Sequence, residues 1–468
     1  LSINNIDDSG RDMVINFKRE LTGLVNFREG DICIVYPKNN ANDTVLNTQI
    51  LKGTIVEIME DEVTVRFRYK QKNRHYFNDN PYWAIEHDSL DSSYNYMYKT
   101  LYKFITAPKP TKDLLLGISG PSTPESDSKN TIIGSENHKK NNSKEVKNNS
   151  NNDNSKYNNN NHYPENIISQ AINAQDYFLI VGPPGTGKTS IFARRLIEEY
   201  YKKLDINIMV IAYTNRAVDE LCDAINAAFG YADGLCENYI RIGSELSCAH
   251  KHRHRLLQNV SELSIDRESL RETIDQCRIW VSTLASVTSK PELFSLKKFN
   301  VAIIDEASQI LEPQIIGLLP EFEKFIMIGD HNQLSTIVLQ DNDESKISEP
   351  NLTNIGITDC RDSLFERLLR RCINMNWSHS YTQLTKQGRM HNDIATFPAN
   401  NFYSEALLPA LAWQTAKWEM SYNNDNSFDK YVATGRNFFI STENIDLYTQ
   451  SHKTAIPSNK INEKEADV

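Results

Sequence analysis

A glycine-rich stretch in the middle of the sequence carries the residue types that bind phosphate. It reads YFLIVGPPGTGKTS, so an apolar run leads directly into the glycines. Glycines let successive backbone N–H groups surround a phosphate, a lysine supplies a positive charge, and a threonine hydroxyl can bind Mg²⁺. We therefore expect a phosphate-binding loop formed by Gly182, Pro183, Pro184, Gly185, Thr186, Gly187, Lys188, Thr189 and Ser190.

Two adjacent carboxylates follow a second apolar run, in FNVAIIDEASQ. Mg²⁺ prefers oxygen ligands, and phosphate hydrolysis needs a group that orients or deprotonates water. We therefore expect Asp305 and Thr189 to bind Mg²⁺, and Glu306 to act on the attacking water. Lys188 would stabilise the transferred phosphate. The cofactors that this set of residues predicts are ATP and Mg²⁺.

A third apolar run ends in polar residues, in FIMIGDHNQLSTIV. The amide of Gln333 can donate to a phosphate and accept from water, so it could report whether ATP or ADP is bound. The alternative is an ordinary turn from a strand into a loop. Further along, LTKQGRMHNDIATF is either the start of a surface helix or the other half of the same site. We expect Pro398 to end the helix in this segment.

The residues named so far follow short apolar runs that lack period-two alternation. These runs are YFLIV, IMVIAY, IWVST, VAIID and FIMIG. Such runs are typical of strands buried on both faces, as in a doubly wound parallel sheet with helices between the strands. The fold class that we expect is therefore α/β.

A smaller β unit precedes this region, from about Gly30 to Ile85. Its stretch EVTVRFRYK alternates between apolar residues and Thr, Arg and Lys, which predicts a small antiparallel barrel with one basic face. Arg66 and Arg68 on that face either lie in solvent or contact nucleic acid.

Composition limits the remaining possibilities. The 468 residues allow two or three domains, and the net charge of −10 leaves any nucleic-acid partner to local basic patches. Seven cysteines without a C-x-x-C pair indicate a reducing, cytoplasmic setting, with the nucleoid or nucleus also allowed. We expect no membrane partner, because no apolar run is long enough to span a bilayer. The Asn-rich stretch 137–161 predicts disorder. The stretch CAHKHRHR is a metal site, a basic loop near phosphate or a solvated loop.

Five stretches occur in an order that resembles a known family. GPPGTGKT, AYTNRAVDEL, DEASQ, GDHNQL and QGRMH are similar to motifs of the superfamily 1 helicases, in the subgroup of the nonsense-mediated-decay RNA helicase and the replication helicase–nuclease. The resemblance covers about Tyr177 to Leu408. It implies two RecA-like domains that hold one ATP between them and move 5′ to 3′ along a single strand, DNA more than RNA. It also implies a monomer whose small barrel grips the nucleic acid.

The resemblance also assigns roles to individual residues. It places Gln387 and Arg389 at the γ-phosphate, and it gives Thr214 and Asn215 to the nucleic-acid backbone. Ser282 and Thr283 are further candidates for strand contact. From the residues alone, Thr214 or Asn215 could equally cap the helix that begins at RAVDEL.

The sequence departs from the family at two points. Gly388 stands where an aromatic residue is usual, which we expect to loosen the backbone around Arg389. The upstream glutamine that reads adenine is also not at the usual distance, and Gln170 is the nearest candidate. Recognition of adenine by a glutamine is therefore left open.

These observations divide the chain. The expected parts are a lead segment (1–20), a β-barrel (21–117), an Asn-rich disordered linker (118–163), the first RecA-like domain (164–340, with a helical insertion at about 245–278) and the beginning of the second (341–468). A later Arg-rich motif is not found before Val468, so we expect slow hydrolysis and no unwinding. The alternative function is an ATP- and nucleic-acid-binding module, or a split subunit, that does not unwind.

Overall fold

The structure is a computed structural model of the chain. It describes residues 1–10, 12–19, 27, 29–59, 61–67, 75–88, 93–124, 163–229, 239–334, 338, 340–404, 406–417 and 436–437. The described residues fall into two compact units, 1–92 and 93–437. Arg68 and the Asn-rich stretch lie outside the described residues. In the described part of the chain, no helix is long and apolar enough to cross a membrane.

The smaller unit is an antiparallel sheet. Its elements are β1 (Ser2–Asp7), β2 (Met13–Lys18), β3 (Ile32–Pro37), β4 (Leu51–Ile58), β5 (Glu62–Phe67), α1 (His75–Asn78) and β6 (Trp83–His87), with the strand order β1-β2-β5-β4-β3-β6. The backbone nitrogen of Leu1 donates to the Trp83 carbonyl at 2.9 Å, and the Trp83 N–H donates back to Leu1 at 2.8 Å. These two bonds connect the residue before β1 to the first residue of β6, so they link the two edge strands of the sheet. Residues 1–20 were expected to form a lead segment before the barrel. In the structure they supply strands β1 and β2 of the sheet.

Strand β5 confirms the alternation in EVTVRFRYK as far as it is described. Val63, Val65 and Phe67 are buried in the interior of the sheet. Arg66 points outward and lies 3.7 Å from the Asp12 carboxylate. Because an acidic residue balances Arg66, the described outer face is of mixed charge, which favours a solvated face over a basic one.

The larger unit is built on a parallel sheet, as the apolar runs predicted. Its strands are β7 (Tyr177–Val181), β8 (Ile208–Ala212), β9 (Tyr239–Ile242), β10 (Ile279–Thr283), β11 (Val301–Ile304), β12 (Lys324–Gly329) and β13 (Tyr381–Gln383), in the order β13-β7-β12-β11-β8-β10-β9. Every residue of β7, β8, β10, β11 and β12 is buried. Strands β9 and β13 were not anticipated. Strand β13 comes from the segment 341–468, yet it pairs with β7 of the first RecA-like sheet.

Helices cover the two faces and the edges of this sheet. They are α2 (Ser93–Thr106), α3 (Lys109–Leu115), α4 (Tyr163–Asn173), α5 (Arg194–Tyr201), α6 (Asn215–Phe229), α7 (Leu257–Leu263), α8 (Arg267–Gln276), α9 (Leu284–Thr288), α10 (Leu293–Leu296), α11 (Glu312–Ile315), α12 (Asn342–Ser345), α13 (Pro350–Asn354), α14 (Leu364–Asn374) and α15 (Asn392–Phe402). A wide π-helical turn, Lys188–Ala193, leads into α5. Helices α7 and α8 lie in the expected insertion. Pro398 does not end α15 but lies inside it.

The stretch CAHKHRHR forms a short 3₁₀ turn, His250–Arg255, whose side chains hold it to its neighbours. His252 is buried and its Nδ1 lies 2.9 Å from the Tyr239 hydroxyl, while Arg255 donates to the Tyr239 carbonyl at 2.6 Å. Among the described residues there is no group of three His, Cys, Asp or Glu side chains that could hold a metal ion. The metal alternative for this stretch is therefore not supported, and the turn is a packed structural element.

Helix α2 docks closely on the segment that follows the Asp305-Glu306 pair. Thr100 of α2 donates its hydroxyl to the Pro313 carbonyl, and Gln314 donates to the Tyr96 hydroxyl at 3.0 Å. A Cβ on Gly317 would lie 1.8 Å from the Thr100 carbonyl oxygen. Only glycine therefore permits this approach between the two backbones.

We expect Gly317→Ala to destabilise the larger unit by about 1–3 kcal/mol, because the new methyl group would push α2 away from α11. Thermal and urea unfolding, followed by circular dichroism, measure the effect. Gly243→Ala is the matched control, since its Cβ would meet no atom closer than 3.9 Å. Equal stability of the two variants would contradict the close packing of α2.

Candidate nucleotide site

The phosphate-binding loop connects β7 to the π-helical turn. Gly185 and Gly187 adopt left-handed backbone conformations, with φ of 76° and 81°, which residues with a side chain rarely adopt. The Lys188 ammonium donates to the Gly182 carbonyl at 2.8 Å, and the Thr186 hydroxyl donates to the Pro183 carbonyl at 2.7 Å. Lys188 thus folds back over its own loop, while Ser190 is exposed. This is the geometry expected of a loop that wraps a phosphate.

Asp305 meets this loop from the neighbouring part of the sheet. The Thr189 hydroxyl donates to Asp305 Oδ2 at 2.5 Å. Asp305 is fully buried, and this burial raises the pKa of its carboxyl to about 6, although the Thr189 hydrogen bond acts in the opposite direction. Hydroxyl and carboxylate oxygens are the ligands that Mg²⁺ prefers, so the pair fits one side of a Mg²⁺ site whose other ligands would be phosphate oxygens and water.

Glu306 follows immediately in a left-handed conformation with φ of 52°. This conformation is rare for a residue with a side chain, and such residues cluster at functional sites. The Glu306 N–H donates to Asp305 Oδ1 at 3.0 Å, which fixes the turn. The Glu306 side chain is half-buried, so it remains accessible to water at the edge of the sheet.

Gln333 lies in the turn after β12 and is tied to Asp330. Its Nε2 donates to Asp330 Oδ2 at 2.6 Å. Asp330 is almost completely buried, and the hydroxyl of Tyr403 donates to the same Oδ2 atom at 2.8 Å. The Ser308 hydroxyl accepts the Asp330 N–H at 3.1 Å, which connects this turn to the DEASQ segment. Hydrogen bonds of Asp330 therefore connect this turn both to Tyr403 and to the DEASQ segment.

The segment Gln387–Arg389 reaches the phosphate-binding loop, as expected of the other half of the site. The Gly388 N–H donates to the Gly185 carbonyl at 2.9 Å. A Cβ on Gly185 would lie 2.5 Å from the Cβ of Arg389, so the two backbones are in close contact. Lys188, Asp305 and the Arg389 backbone therefore belong to one group of adjoining elements.

Two expectations about this segment need correction. Gln387 is fully buried, with its amide bonded to the backbone of its own turn: Oε1 accepts from Arg389 N at 2.9 Å and Met390 N at 2.7 Å, and Nε2 donates to Met390 O at 2.8 Å. Gln387 therefore positions Arg389 and does not itself face a phosphate. Gly388 does not loosen this turn, because its N–H is held by Gly185.

The four candidates for nucleic-acid contact in the larger unit separate into two pairs. Thr214 and Asn215 are exposed at the carboxyl end of β8, and the Thr214 hydroxyl also accepts the Ala217 N–H at 3.1 Å as a cap of α6. Ser282 is fully buried, and Thr283 caps α9 by accepting the Ser286 N–H at 3.2 Å. The Ser282 prediction is corrected, because a side chain enclosed in the sheet cannot contact a bound strand.

Other residues near the site were not distinguished by the sequence. Tyr163 at the start of α4 accepts the Thr385 N–H at 2.5 Å and so fastens α4 to the Gln387 segment. Gln170 lies further along α4, where its side chain is exposed and 3.4 Å from Asn166. Tyr403, which holds Asp330, has no local signal in the sequence, because only the fold shows that it meets a residue 73 positions away.

Comparisons with known proteins identify related families and sequences. An AAA domain family matches residues 156–269 and 245–341, and a second AAA domain family matches residues 360–468. The DNA replication ATP-dependent helicase/nuclease JHS1 of Arabidopsis thaliana is 33% identical over 204 residues, which are 43% of this chain and 13% of that protein. The regulator of nonsense transcripts 1 homolog of Neurospora crassa is 27% identical over 302 residues, which are 57% of this chain and 26% of that protein.

Among solved structures, the arterivirus nonstructural protein 10 helicase superposes with a TM-score of 0.32 at 10% identity, covering 85% of this chain and 58% of that chain. The chain spans about a quarter or less of the two curated relatives. The two matching AAA domain families include the phosphate-binding loop, the Asp305-Glu306 pair, the Gln333 turn and the Arg389 segment. The chain therefore belongs to the superfamily 1 helicases of the nonsense-mediated-decay helicase and replication helicase–nuclease type.

Proposed function

We propose that the chain binds ATP with Mg²⁺ and couples its hydrolysis to movement along single-stranded nucleic acid. The observation that carries this proposal is the contact between Gly388 and Gly185, because it brings the Arg389 segment to the phosphate-binding loop. A nucleotide held between two such elements senses both, so a change in its phosphates can change their spacing. We further propose that the movement runs 5′ to 3′ and that single-stranded DNA is preferred to RNA.

The residues of the chain supply four functions to the reaction. Lys188 and the loop N–H groups bind and orient phosphate oxygens, and Asp305 with Thr189 would hold Mg²⁺, which neutralises charge on the phosphates. Glu306 accepts a proton from the attacking water or orients it. Arg389, positioned by Gln387, adds positive charge where negative charge develops in the transition state.

Nucleic acid would lie along the carboxyl edge of the larger sheet. Thr214 and Asn215 are exposed there and offer hydroxyl and amide groups, which commonly contact phosphates and sugars. Thr283 is only 6% exposed, so it offers little surface for contact with nucleic acid. Arg66 is a second candidate contact in the smaller unit, where Asp12 partly neutralises it.

A phosphate-release assay with single-stranded DNA and RNA, run side by side, tests the proposal. We expect hydrolysis to be stimulated by DNA, and Lys188→Ala to lower it at least about 100-fold through loss of phosphate stabilisation. Lys298→Ala is the matched control, because this exposed lysine pairs with the Glu323 carboxylate at 2.7 Å and has no role in the proposed reaction. Hydrolysis that persists in Lys188→Ala, or that ignores both nucleic acids, would refute the coupling.

Asp305→Asn gives a second prediction, with opposite effects on binding and stability. The buried carboxyl has a folded-state pKa of about 6 against an ordinary 3.8, so the folded state takes up a proton as pH falls between these values. Ionised Asp305 therefore destabilises the nucleotide-free fold above pH 6, by about 3 kcal/mol, and this destabilisation is relieved below about pH 4. The asparagine amide does not ionise, so it removes this pH-dependent destabilisation of the fold. It also removes a carboxylate ligand of Mg²⁺.

We accordingly expect Asp305→Asn to raise the melting temperature at pH 7.5, to raise it less at pH 4.5, and to abolish Mg²⁺-dependent ATP binding. Thermal melts without nucleotide and titrations with a fluorescent ATP analogue measure the two effects. Asp275→Asn serves as the control, because this carboxylate is exposed in a pair with Arg271. A variant that melts lower than wild type at pH 7.5 would show that burial of Asp305 is not a strain on the fold.

A further inference from the structure

Asp330 is a buried carboxylate whose hydrogen bonds come from two distant parts of the chain. Its exposed fraction is 1%. Oδ1 accepts from Asn332 N at 3.1 Å, and Oδ2 accepts from both Gln333 Nε2, at 2.6 Å, and the Tyr403 hydroxyl, at 2.8 Å. Loss of a hydrogen-bond donor from a buried carboxylate costs free energy. Each of these three hydrogen bonds therefore helps to hold Asp330 in its position.

These bonds determine which face of the Gln333 amide is available to a ligand. An ionised carboxylate only accepts hydrogen bonds, so it must be met by the NH₂ group of Gln333. The amide oxygen then points away from Asp330, where it can accept a hydrogen bond from the attacking water. The orientation of Gln333 therefore depends on the position and charge of Asp330.

Tyr403 connects this arrangement to the Arg389 segment through helix α15. Four residues before this helix begins, the Gly388 N–H donates to the Gly185 carbonyl at 2.9 Å. Just beyond its last residue the Tyr403 hydroxyl bonds to Asp330, and the Phe402 carbonyl accepts from Asn332 Nδ2 at 2.8 Å. Helix α15 thus lies between the Gly388–Arg389 segment, which contacts the phosphate-binding loop, and the Gln333 turn.

We propose that Tyr403 is a positioning residue for ATP hydrolysis: its hydroxyl holds Asp330, Asp330 holds the amide of Gln333, and Gln333 is thereby oriented only while α15 is docked. The proposal rests on the proposed ATPase function and adds to it a means by which the Arg389 segment controls the water-orienting amide. Tyr403 touches neither nucleotide nor water in this scheme. It acts through two hydrogen bonds that meet at one carboxylate oxygen.

The packing of the Tyr403 ring makes a clean substitution available. The ring is buried in a small apolar cluster with Ala399 and Leu407, against which Met390 packs. Tyr403→Phe keeps this packing and removes only the hydroxyl. The hydrogen bond lost is to a charged group, and such bonds are strong enough to account for a tenfold or larger effect.

The test measures steady-state ATP hydrolysis of the full 468-residue chain with single-stranded DNA. We expect Tyr403→Phe to lower kcat about tenfold or more, with KM for ATP changed less than about twofold, because orientation of water matters in the transition state and not in ATP binding. In a Gln333→Ala background the same substitution should cause no further loss, since the amide that it positions is gone. Tyr200→Phe is the matched control, because the buried Tyr200 hydroxyl has no hydrogen-bond partner among the described residues.

Several outcomes would overturn the positioning role. An unchanged kcat, a change confined to KM, or an equal loss in the wild-type and Gln333→Ala backgrounds would each show that Tyr403 is only structural. Should Tyr403→Phe fail to fold, as judged by circular dichroism, Asp330→Asn replaces it. Its amide can meet Gln333 with an N–H group and turn the Gln333 oxygen inward, so the same fall in kcat is expected and an unchanged kcat refutes the role. A wild-type chain no more active than Lys188→Ala would instead refute the proposed function.

Discussion

Side chains buried on both faces leave the strands of the larger sheet only their ends for polar chemistry. Strand β7 leads into the phosphate-binding loop, β11 into Asp305 and β12 into Asp330. Because these strands are parallel, their carboxyl ends meet at one edge, and the polar groups that follow each strand are brought together there. The site is thus a consequence of strand direction and complete burial, and the helices serve to make that burial possible.

The same burial decides what could be predicted from the sequence. The five runs of Ile, Val and Phe identified their strands correctly, and the glycines identified the loop. Strand β9 was missed because Arg241 interrupts its apolar pattern; the arginine is nevertheless buried, in an ion pair with Asp219. Strand β13 was missed because Tyr381–Gln383 is short and only partly buried, so its pairing with β7 depends on the sheet already being present.

Within the site, residue type predicted location better than it predicted role. The family resemblance placed Gln387 at the γ-phosphate, yet the buried amide satisfies three backbone groups of its own turn. The family resemblance placed Ser282 at a bound strand, but it is the fourth residue of β10 and fully enclosed. A hydroxyl or an amide in the sequence predicts that a hydrogen bond will form. Only the fold shows whether the partner is another group of the protein or a ligand.

Helix α15 and the segments beside it are held by three hydrogen bonds that differ in burial. Undocking this helix would break the Gly388–Gly185, Asn332–Phe402 and Tyr403–Asp330 hydrogen bonds. The Asn332 bond is exposed, so water can replace it at little cost. The Tyr403 bond is buried and ends on a carboxylate, so its loss leaves a charge that must be rehydrated or protonated. Separation of the two halves of the site is therefore opposed mainly at Asp330, and water must enter beside Gln333 for α15 to leave. The amide that we propose to orient the attacking water is disturbed by the same event that separates α15 from Asp330, so in this proposal hydrolysis depends on the docked helix.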